Sequence, residues 1–216
     1  MLEHGANPNE IVESDFNTGY RTFPGDSVTH MACATPFPGY FDAVFDHGGD
    51  PNLRRTGEAG RDSTPLFTVI FAGGRSRAEK VKRLIRAGAD MNTLSDGVTP
   101  PMQAASWFKQ NDLVLIMLNA GADFRTYDRH ECQRLIHLVV RQEFGTVSLK
   151  ALTPQMQADR AAVIKWLEDH GQSYEEAKVD IARWDSWSGA TYDQKMAAEI
   201  AERKAREKAA AEKQPE

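Results

Sequence analysis

The sequence lacks the features that would assign it to a membrane or to nucleic acid. No stretch approaches the roughly 20 consecutive apolar residues that a membrane span requires. The formal net charge is −5 and the pI is about 5.7, so basic residues do not predominate. Nucleic acids and anionic membranes bind basic surfaces. We therefore expect no transmembrane segment and no nucleic-acid partner.

The sequence also lacks any arrangement that predicts catalysis or metal binding. His130 and His137 would share a helix face, but Cys132 points away from it and no fourth ligand follows at a usual spacing. A Cys132–His137 nucleophilic pair has no third group nearby to orient the histidine. The glycines lack the strand context of a phosphate-binding loop. We expect a chain that is not an enzyme and that has no cofactor and no metal.

Residues 62–92 contain signals for two short helices and a stop. Thr64 can cap a first helix, with Pro65 at the first helical position. Ser76 and Glu79 have the spacing of a capping box at the start of a second helix. Gly88 then ends that helix, because glycine adopts the left-handed conformation without strain. So small a unit cannot bury its apolar face alone, which predicts that copies of it exist.

Copies of this unit recur along the chain at steps of roughly 33 to 50 residues. The glycine that ends the second helix recurs at Gly5, Gly48, Gly121 and Gly171. Before the later glycines come apolar residues at helical spacing, in the sets Phe41/Val44/Phe45, Val81/Leu84/Ile85, Val114/Met117/Leu118 and Ile164/Leu167. First-helix starts recur at Ser27, Thr64 and Thr99, and a degraded copy spans 134–137. Cys33 and Cys132 fall on first helices of different units, so we expect core residues rather than a disulfide.

These units resemble the ankyrin repeat family, whose pattern is T-P-L-H-x-A followed by a second helix that ends in G-A-D/N-x-N. Thr64-Pro65-Leu66 and Thr99-Pro100 are the closest matches, and the likeness covers roughly residues 1–174. The resemblance implies an all-α ankyrin-repeat solenoid of stacked helix-turn-helix units with projecting turns that bind other proteins. It also implies that His137 bonds to the backbone of the adjacent turn. A generic array of helical hairpins is the alternative.

The resemblance divides the chain into an array and a tail. Residues 1–174 would hold a partial first repeat (1–9), about four further repeats and an insertion near 144–155. The insertion would either cover the open end of the array or project as a binding loop. Residues 175–216 would form a C-terminal helical cap, with Ile181, Trp184 and Trp187 spaced by three, and then a charged exposed helix over 192–213.

The same resemblance indicates which first-helix residues face the concave groove. They are Thr35, Phe71, Ser106, Trp107 and Arg141. Aromatic residues and arginine contribute most of the binding energy at protein interfaces. Trp107 has an alternative role, which is packing between repeats.

Projecting turns supply the remaining predicted contacts. Arg54, Arg55 and Arg61 lie on a long connection between repeats, where they suit a carboxylate-rich partner or simply form a solvated turn. Tyr127 and Arg129, on a later turn, complete the predicted partner-binding set.

The resulting functional expectation is a module that binds one protein partner and is monomeric when free. The irregular, bacterial-type repeats resemble ankyrin proteins that act as immunity proteins, which block a toxin or a secreted effector enzyme in the producing cell. The alternative is an effector, adaptor or scaffold that binds a host or cellular protein. The compartment stays open between the cytoplasm and, if a signal peptide preceded this start, the periplasm.

Overall fold

The computed structural model describes residues 2–11, 25–55, 63–72, 74–95, 99–127, 133–143 and 152–185, with single positions between 194 and 205. Within these ranges the chain is all-α and has no sheet, which confirms the predicted class. Its helices are α1 (Val28–Ala34), α2 (Pro38–Asp46), α3 (Pro65–Ala72), α4 (Arg77–Arg86), α5 (Pro101–Trp107), α6 (Asn111–Asn119), α7 (Leu135–Arg141), α8 (Pro154–Asp169) and α9 (Tyr174–Asp185). None of the helices in the described ranges is long and apolar enough to cross a bilayer.

The helices pack in two rows. In the first row α1 contacts α3, α3 contacts α5, α5 contacts α7, and α7 contacts α9. In the second row α4 contacts α6 and α6 contacts α8. Each first-row helix from α1 to α7 also packs on the helix that follows it in the chain. The main contacts therefore lie within one helix pair and between neighbouring pairs, and we call this series of helix pairs the array.

The core lies between the two rows and contains the apolar faces predicted for the second helices. Leu84 on α4, Met117 on α6 and Leu167 on α8 are fully buried. Burying one such side chain stabilises the fold by about 1.5–3 kcal/mol. Ile85 and Ile164 are only partly buried and pack against the edge of this core.

Each second helix ends at a glycine in the left-handed region. Gly48, Gly88 and Gly121 have φ of 87°, 89° and 89°. The residue after the glycine donates its N–H back into the helix, as Ala89 does to the Leu84 carbonyl at 2.9 Å. This satisfies a terminal carbonyl that would otherwise lack a donor, which explains the recurrence of glycine.

A ladder of asparagine side chains joins successive glycine turns. Asn52 donates its Nδ2 to the Gly88 carbonyl at 2.9 Å, and its Oδ1 accepts from the Asp90 N–H at 2.7 Å. One side chain therefore fixes the spacing of two neighbouring helix pairs. The corresponding bonds in the flanking turns join Asn9 to Gly48 and Asp50, and Asn92 to Asp123.

A second set of bonds between helix pairs starts at the third residue of first-row helices. The Nε2 of His30 lies 3.3 Å from the Ser63 carbonyl. Gln103 occupies the same helical position in α5 and donates its Nε2 to the Thr126 carbonyl at 2.7 Å. An imidazole and an amide thus make the same link to the next turn.

His137 holds the equivalent position in α7, but the predicted bond to turn backbone is wrong. Its Nδ1 accepts from the Arg134 N–H at 3.1 Å, and its Nε2 lies 3.4 Å from the Asp180 carboxylate. Both side chains are buried. Its Nε2 therefore faces a side chain within helix α9 instead of the backbone of a turn.

Two predicted helix caps are also wrong. The Thr64 hydroxyl is buried and has no hydrogen-bond partner among the described residues, although Pro65 does begin α3. Ser76 ends a short 3-10 helix and has φ −93° and ψ 15°, whereas a capping residue needs an extended conformation. Glu79 accepts from Lys82 at 2.9 Å and does not reach Ser76.

The C-terminal part of the array differs from the earlier pairs in length. Helix α8 has 16 residues against 10 in α4, because it already begins at Pro154, where Thr153 caps it by accepting from the Met156 N–H at 3.2 Å. The last residues of the predicted insertion therefore belong to α8, while 144–151 lie outside the described residues. Ile181 and Trp184 are buried on α9 against α7, as their spacing predicts. Trp187 and most of 192–213 are not among the described residues.

The ladder predicts a specific loss of stability. Replacing Asn52 by alanine removes two side-chain hydrogen bonds between turns, which should lower the free energy of unfolding by about 1–2 kcal/mol. Asn119→Ala is the control, since Asn119 is an exposed residue at the end of α6 and its replacement should change stability by less than about 0.5 kcal/mol. Urea denaturation of both variants checks this, and equal midpoints would contradict the ladder's role.

His30 predicts a dependence of stability on pH. Its burial, followed by the nearby Arg55, lowers the pKa of His30 from its usual value. The unfolded chain, with a histidine pKa of about 6.5, then binds more protons than the fold, so stability is full above that pH and falls as the pH drops below it. In His30→Gln the new amide should donate to the Ser63 carbonyl, as Gln103 donates to the Thr126 carbonyl. Because glutamine does not titrate, the loss of stability at low pH should be smaller. Denaturation midpoints at pH 7.5 and 5.5 measure it, and an unchanged difference would refute the assignment.

Candidate protein-binding edge

The connections within the helix pairs lie on the edge opposite the glycine turns. Each glycine turn follows a second helix and leads into the next first helix, so the link inside a pair sits at the other helix ends. We call this the hairpin edge and define it by residues 35–38, 71–72, 74–77, 107–110 and 141–143. It carries most of the predicted groove residues.

Exposed aromatic side chains concentrate on the hairpin edge. Phe71, Trp107 and Phe108 are 46%, 50% and 51% exposed, and we call these three residues the aromatic patch. The rings of Phe71 and Phe108 meet edge to face with centroids 5.1 Å apart. Phe71 also stacks on the buried Phe67 at 6.2 Å. The contact between Phe71 and Phe108 joins their exposed surfaces, and contiguous exposed apolar surface marks interaction sites.

The first connection exposes aromatic rings at the same place in its helix pair. Phe37, which precedes α2, is 59% exposed, and Tyr40 on the first turn of α2 is also exposed. Neither residue was predicted to bind a partner, nor was Phe108. All three fall outside the first helices, where the resemblance locates groove residues. The sequence does contain a signal for them, which is the presence of large aromatic residues in short connections where no apolar helix face requires them.

A buried lysine holds the first connection in place. Lys80 on α4 is 2% exposed, and its Nζ donates to the carbonyls of Ala32, Cys33 and Thr35 at 3.2, 2.9 and 2.5 Å. These carbonyls end α1, where a positive charge also interacts favourably with the helix dipole. The cost of this burial appears as a lowered pKa of Lys80.

The ends of α3, α5 and α7 are bonded in the same way by polar side chains. The Nε2 atoms of Gln110 and Gln142 donate to the carbonyls of Ile70 and Ser106 at 3.0 and 2.8 Å. Arg160 donates to the Val139 carbonyl at 3.0 Å. The carbonyls at the end of each of α1, α3, α5 and α7 therefore receive a donor. The aromatic patch sits on backbone whose position is fixed by these bonds.

Several predicted partner-binding residues are available at the surface. Phe71 and Trp107 belong to the aromatic patch, and Arg141 is partly exposed at the end of α7. Arg54 is exposed on its turn and donates to the Leu94 carbonyl at 3.3 Å. Tyr127 is partly buried beneath the Arg134 guanidinium, 5.8 Å from its ring centroid. Arg61 and Arg129 lie outside the described residues.

Two predicted groove residues are buried, which corrects their assignment. Ser106 is fully buried, and its carbonyl and hydroxyl both accept from Gln142. Thr35 is buried as well, and its hydroxyl accepts from the Phe37 N–H at 3.3 Å. Ser106 is bonded to the next helix pair and the Thr35 hydroxyl to its own connection, so neither buried side chain reaches a partner.

Arg55 is the third correction. Its guanidinium pairs with the buried Asp26 carboxylate, with Nε 2.6 Å from Oδ1. Its own N–H donates to the Ser63 carbonyl at 3.1 Å. This arginine therefore links two parts of the array and does not project toward a carboxylate on another molecule, in contrast to the exposed Arg54.

The described residues do not form a group of three or more His, Cys, Asp or Glu that would hold a metal ion. Burial raises the pKa of the Cys33 thiol, so this sulfur stays protonated and unreactive. The His137–Asp180 pair is sealed beneath Trp184, whose ring centroid lies 4.4 Å from that of the imidazole. The Cys33 thiol and the His137–Asp180 pair are therefore both buried away from the surface.

A scan against models of known protein families and a search of curated proteins both find no match to the chain.

Because Lys80 bonds three carbonyls, its replacement should lower stability more than the loss of an exposed positive charge does. Lys80→Met keeps the length of the side chain but leaves three carbonyls without their donor, which should lower the free energy of unfolding by about 1–3 kcal/mol. Lys82→Met is the control, because Lys82 lies on the same helix and is exposed. Chemical denaturation compares the two, and a loss of equal size in both would contradict the role of Lys80.

Proposed function

We propose that the chain is a non-enzymatic protein-binding module of the ankyrin-repeat type. The observation that carries the proposal is the aromatic patch, in which Phe71, Trp107 and Phe108 are each about half exposed on one edge. Leaving three large apolar side chains in water contributes little to folding. Residues of this type are enriched at the centres of protein interfaces.

The repeat type is supported by the links between helix pairs. Glycine turns at equal positions, the asparagine ladder and the His30 and Gln103 bonds fit the turn and helix motifs that resemble ankyrin repeats. Such links fix the spacing of the pairs, which in turn holds surface residues of neighbouring pairs at fixed separations. A preorganised surface of this kind loses little conformational entropy on binding.

We further propose that the partner is a toxin or a secreted effector enzyme and that the chain inhibits it. The likeness to bacterial ankyrin proteins that act as immunity proteins supports this form of the function. The aromatic patch on a preorganised edge suits inhibition by binding, because it covers a partner's surface by shape and apolar contact without any chemical step.

Loss of one anchor from the aromatic patch should weaken binding without unfolding the chain. Trp107→Ala should leave the melting temperature nearly unchanged, because half of the side chain already faces water. It should weaken partner binding at least about tenfold, or 1.4 kcal/mol. Capture from the native cell with mass spectrometry identifies the stoichiometric partner, and calorimetric titration then gives the affinity of each variant.

The matched control is Val179→Ala, which removes an apolar side chain 65% exposed on α9 and should change neither property. If Trp107→Ala lowered stability strongly while affinity stayed the same, Trp107 would be a packing residue and the proposal would fail. If the partner is an enzyme, its activity with and without the chain tests the inhibition directly.

A further inference from the structure

Two arginines lie shortly after Phe71 in the chain, on the same hairpin edge as the aromatic patch. Arg75 is exposed in the short 3-10 helix after α3, and Arg77 begins α4. Both belong to the segment that immediately follows Phe71, whose ring contacts Phe108 of the next pair. Cationic and aromatic groups therefore share one part of the hairpin edge.

Neither arginine is used inside the described part of the chain. Arg83 and Arg160, by contrast, have acidic partners, which are Asp46 and Glu143. Arg75 and Arg77 form no ion pair with a described residue. The Ser76 hydroxyl and the Arg77 Nε are shielded from solvent and have no hydrogen-bond partner among the described residues. The guanidinium groups of the exposed Arg75 and the half-buried Arg77 can therefore bind an acceptor on another molecule.

The charge of the acceptor follows from these groups. Two guanidinium groups and the positive end of α4 favour an anionic group at this place, and arginine binds carboxylates through charge-assisted, paired hydrogen bonds. The whole chain has a formal net charge of −5. That charge disfavours the continuous phosphate backbone of a nucleic acid, whereas a protein segment can place one or two carboxylates at this spot alone.

We propose that the aromatic patch together with Arg75 and Arg77 binds an acidic segment of the partner protein, in which an apolar side chain adjoins one or two carboxylates. The inference rests on the proposed function and names the chemistry of the partner. The apolar side chain packs against Phe71, Trp107 and Phe108. The carboxylates accept hydrogen bonds from the two guanidinium groups beside them.

The test selects peptides from a phage-displayed library of random 12-residue sequences on the full chain. The enriched peptides should combine Asp or Glu with a neighbouring aromatic or aliphatic residue. Fluorescence anisotropy then measures the labelled peptides and their Glu→Gln and Asp→Asn analogues. The analogues should bind at least about tenfold more weakly, and rising salt should weaken the acidic peptides most.

Variants locate the interaction on the chain. Arg75→Glu with Arg77→Glu should weaken the acidic peptides at least about tenfold. The control is Lys82→Glu with Arg86→Glu, which makes the same charge change at exposed positions of α4 and should have less than about a twofold effect. The melting temperature of each variant checks folding. Arg75→Gln with Arg77→Gln should weaken the same peptides if the double glutamate variant does not fold.

Several outcomes would overturn the inference. They are enriched peptides that are neutral or basic, analogues that bind as tightly as the acidic parents, and no selected peptide at all. Tighter binding of a mixed-sequence single-stranded oligonucleotide than of the acidic peptides would also overturn it. The proposed function is judged separately, since a folded partner that depends on Trp107 but not on Arg75 and Arg77 would uphold it while the acidic segment is rejected.

Discussion

The side-chain bond from one glycine turn to the next is the interaction on which the rest of the structure depends. A helix pair of about 20 residues cannot bury enough apolar surface to offset the entropy lost on ordering it. The Asn52 side chain joins one pair to the next by two hydrogen bonds, because it donates to the Gly88 carbonyl and accepts from the Asp90 N–H. These bonds fix the distance between neighbouring helix pairs independently of the core. The buried leucines then pack in the space between the pairs.

Polar side chains have different roles at the two edges of the array, which are the hairpin edge and the edge that carries the glycine turns, here called the turn edge. On the turn edge, short asparagine and aspartate side chains join backbone groups near the surface. On the hairpin edge, long side chains such as Lys80 and Gln142 reach across to buried helix ends. The second arrangement satisfies the backbone from inside, so the outer surface there needs no polar residues of its own. Aromatic rings can occupy that surface without leaving helix ends unpaired.

Sequence periodicity predicted the helices and the second-helix core because both depend on local spacing. The faces containing Val44, Leu84 and Met117 could be read directly, and the glycine after each helix has a single conformational reason. Positions set by a neighbouring pair were harder. Ser106 and Arg55 carry polar side chains at predicted surface sites, yet their partners, Gln142 and Asp26, are distant in the chain. Phe108 was not predicted because it follows the last residue of α5, whereas the resemblance locates groove residues within the first helices.

The asparagine ladder ends at Asp123, because the next position in register is Arg125, whose guanidinium lies over the Phe124 ring at 4.7 Å instead of reaching another turn. Phe124 meets Trp166 of α8 edge to face at 5.3 Å, so apolar contact takes over where the ladder stops. Directional bonds resist sliding, whereas ring contacts tolerate it. At the glycine turns, the earlier pairs are therefore held in register by directional bonds and α8 by ring contact, whereas α9 is joined to α7 by the buried His137–Asp180 pair.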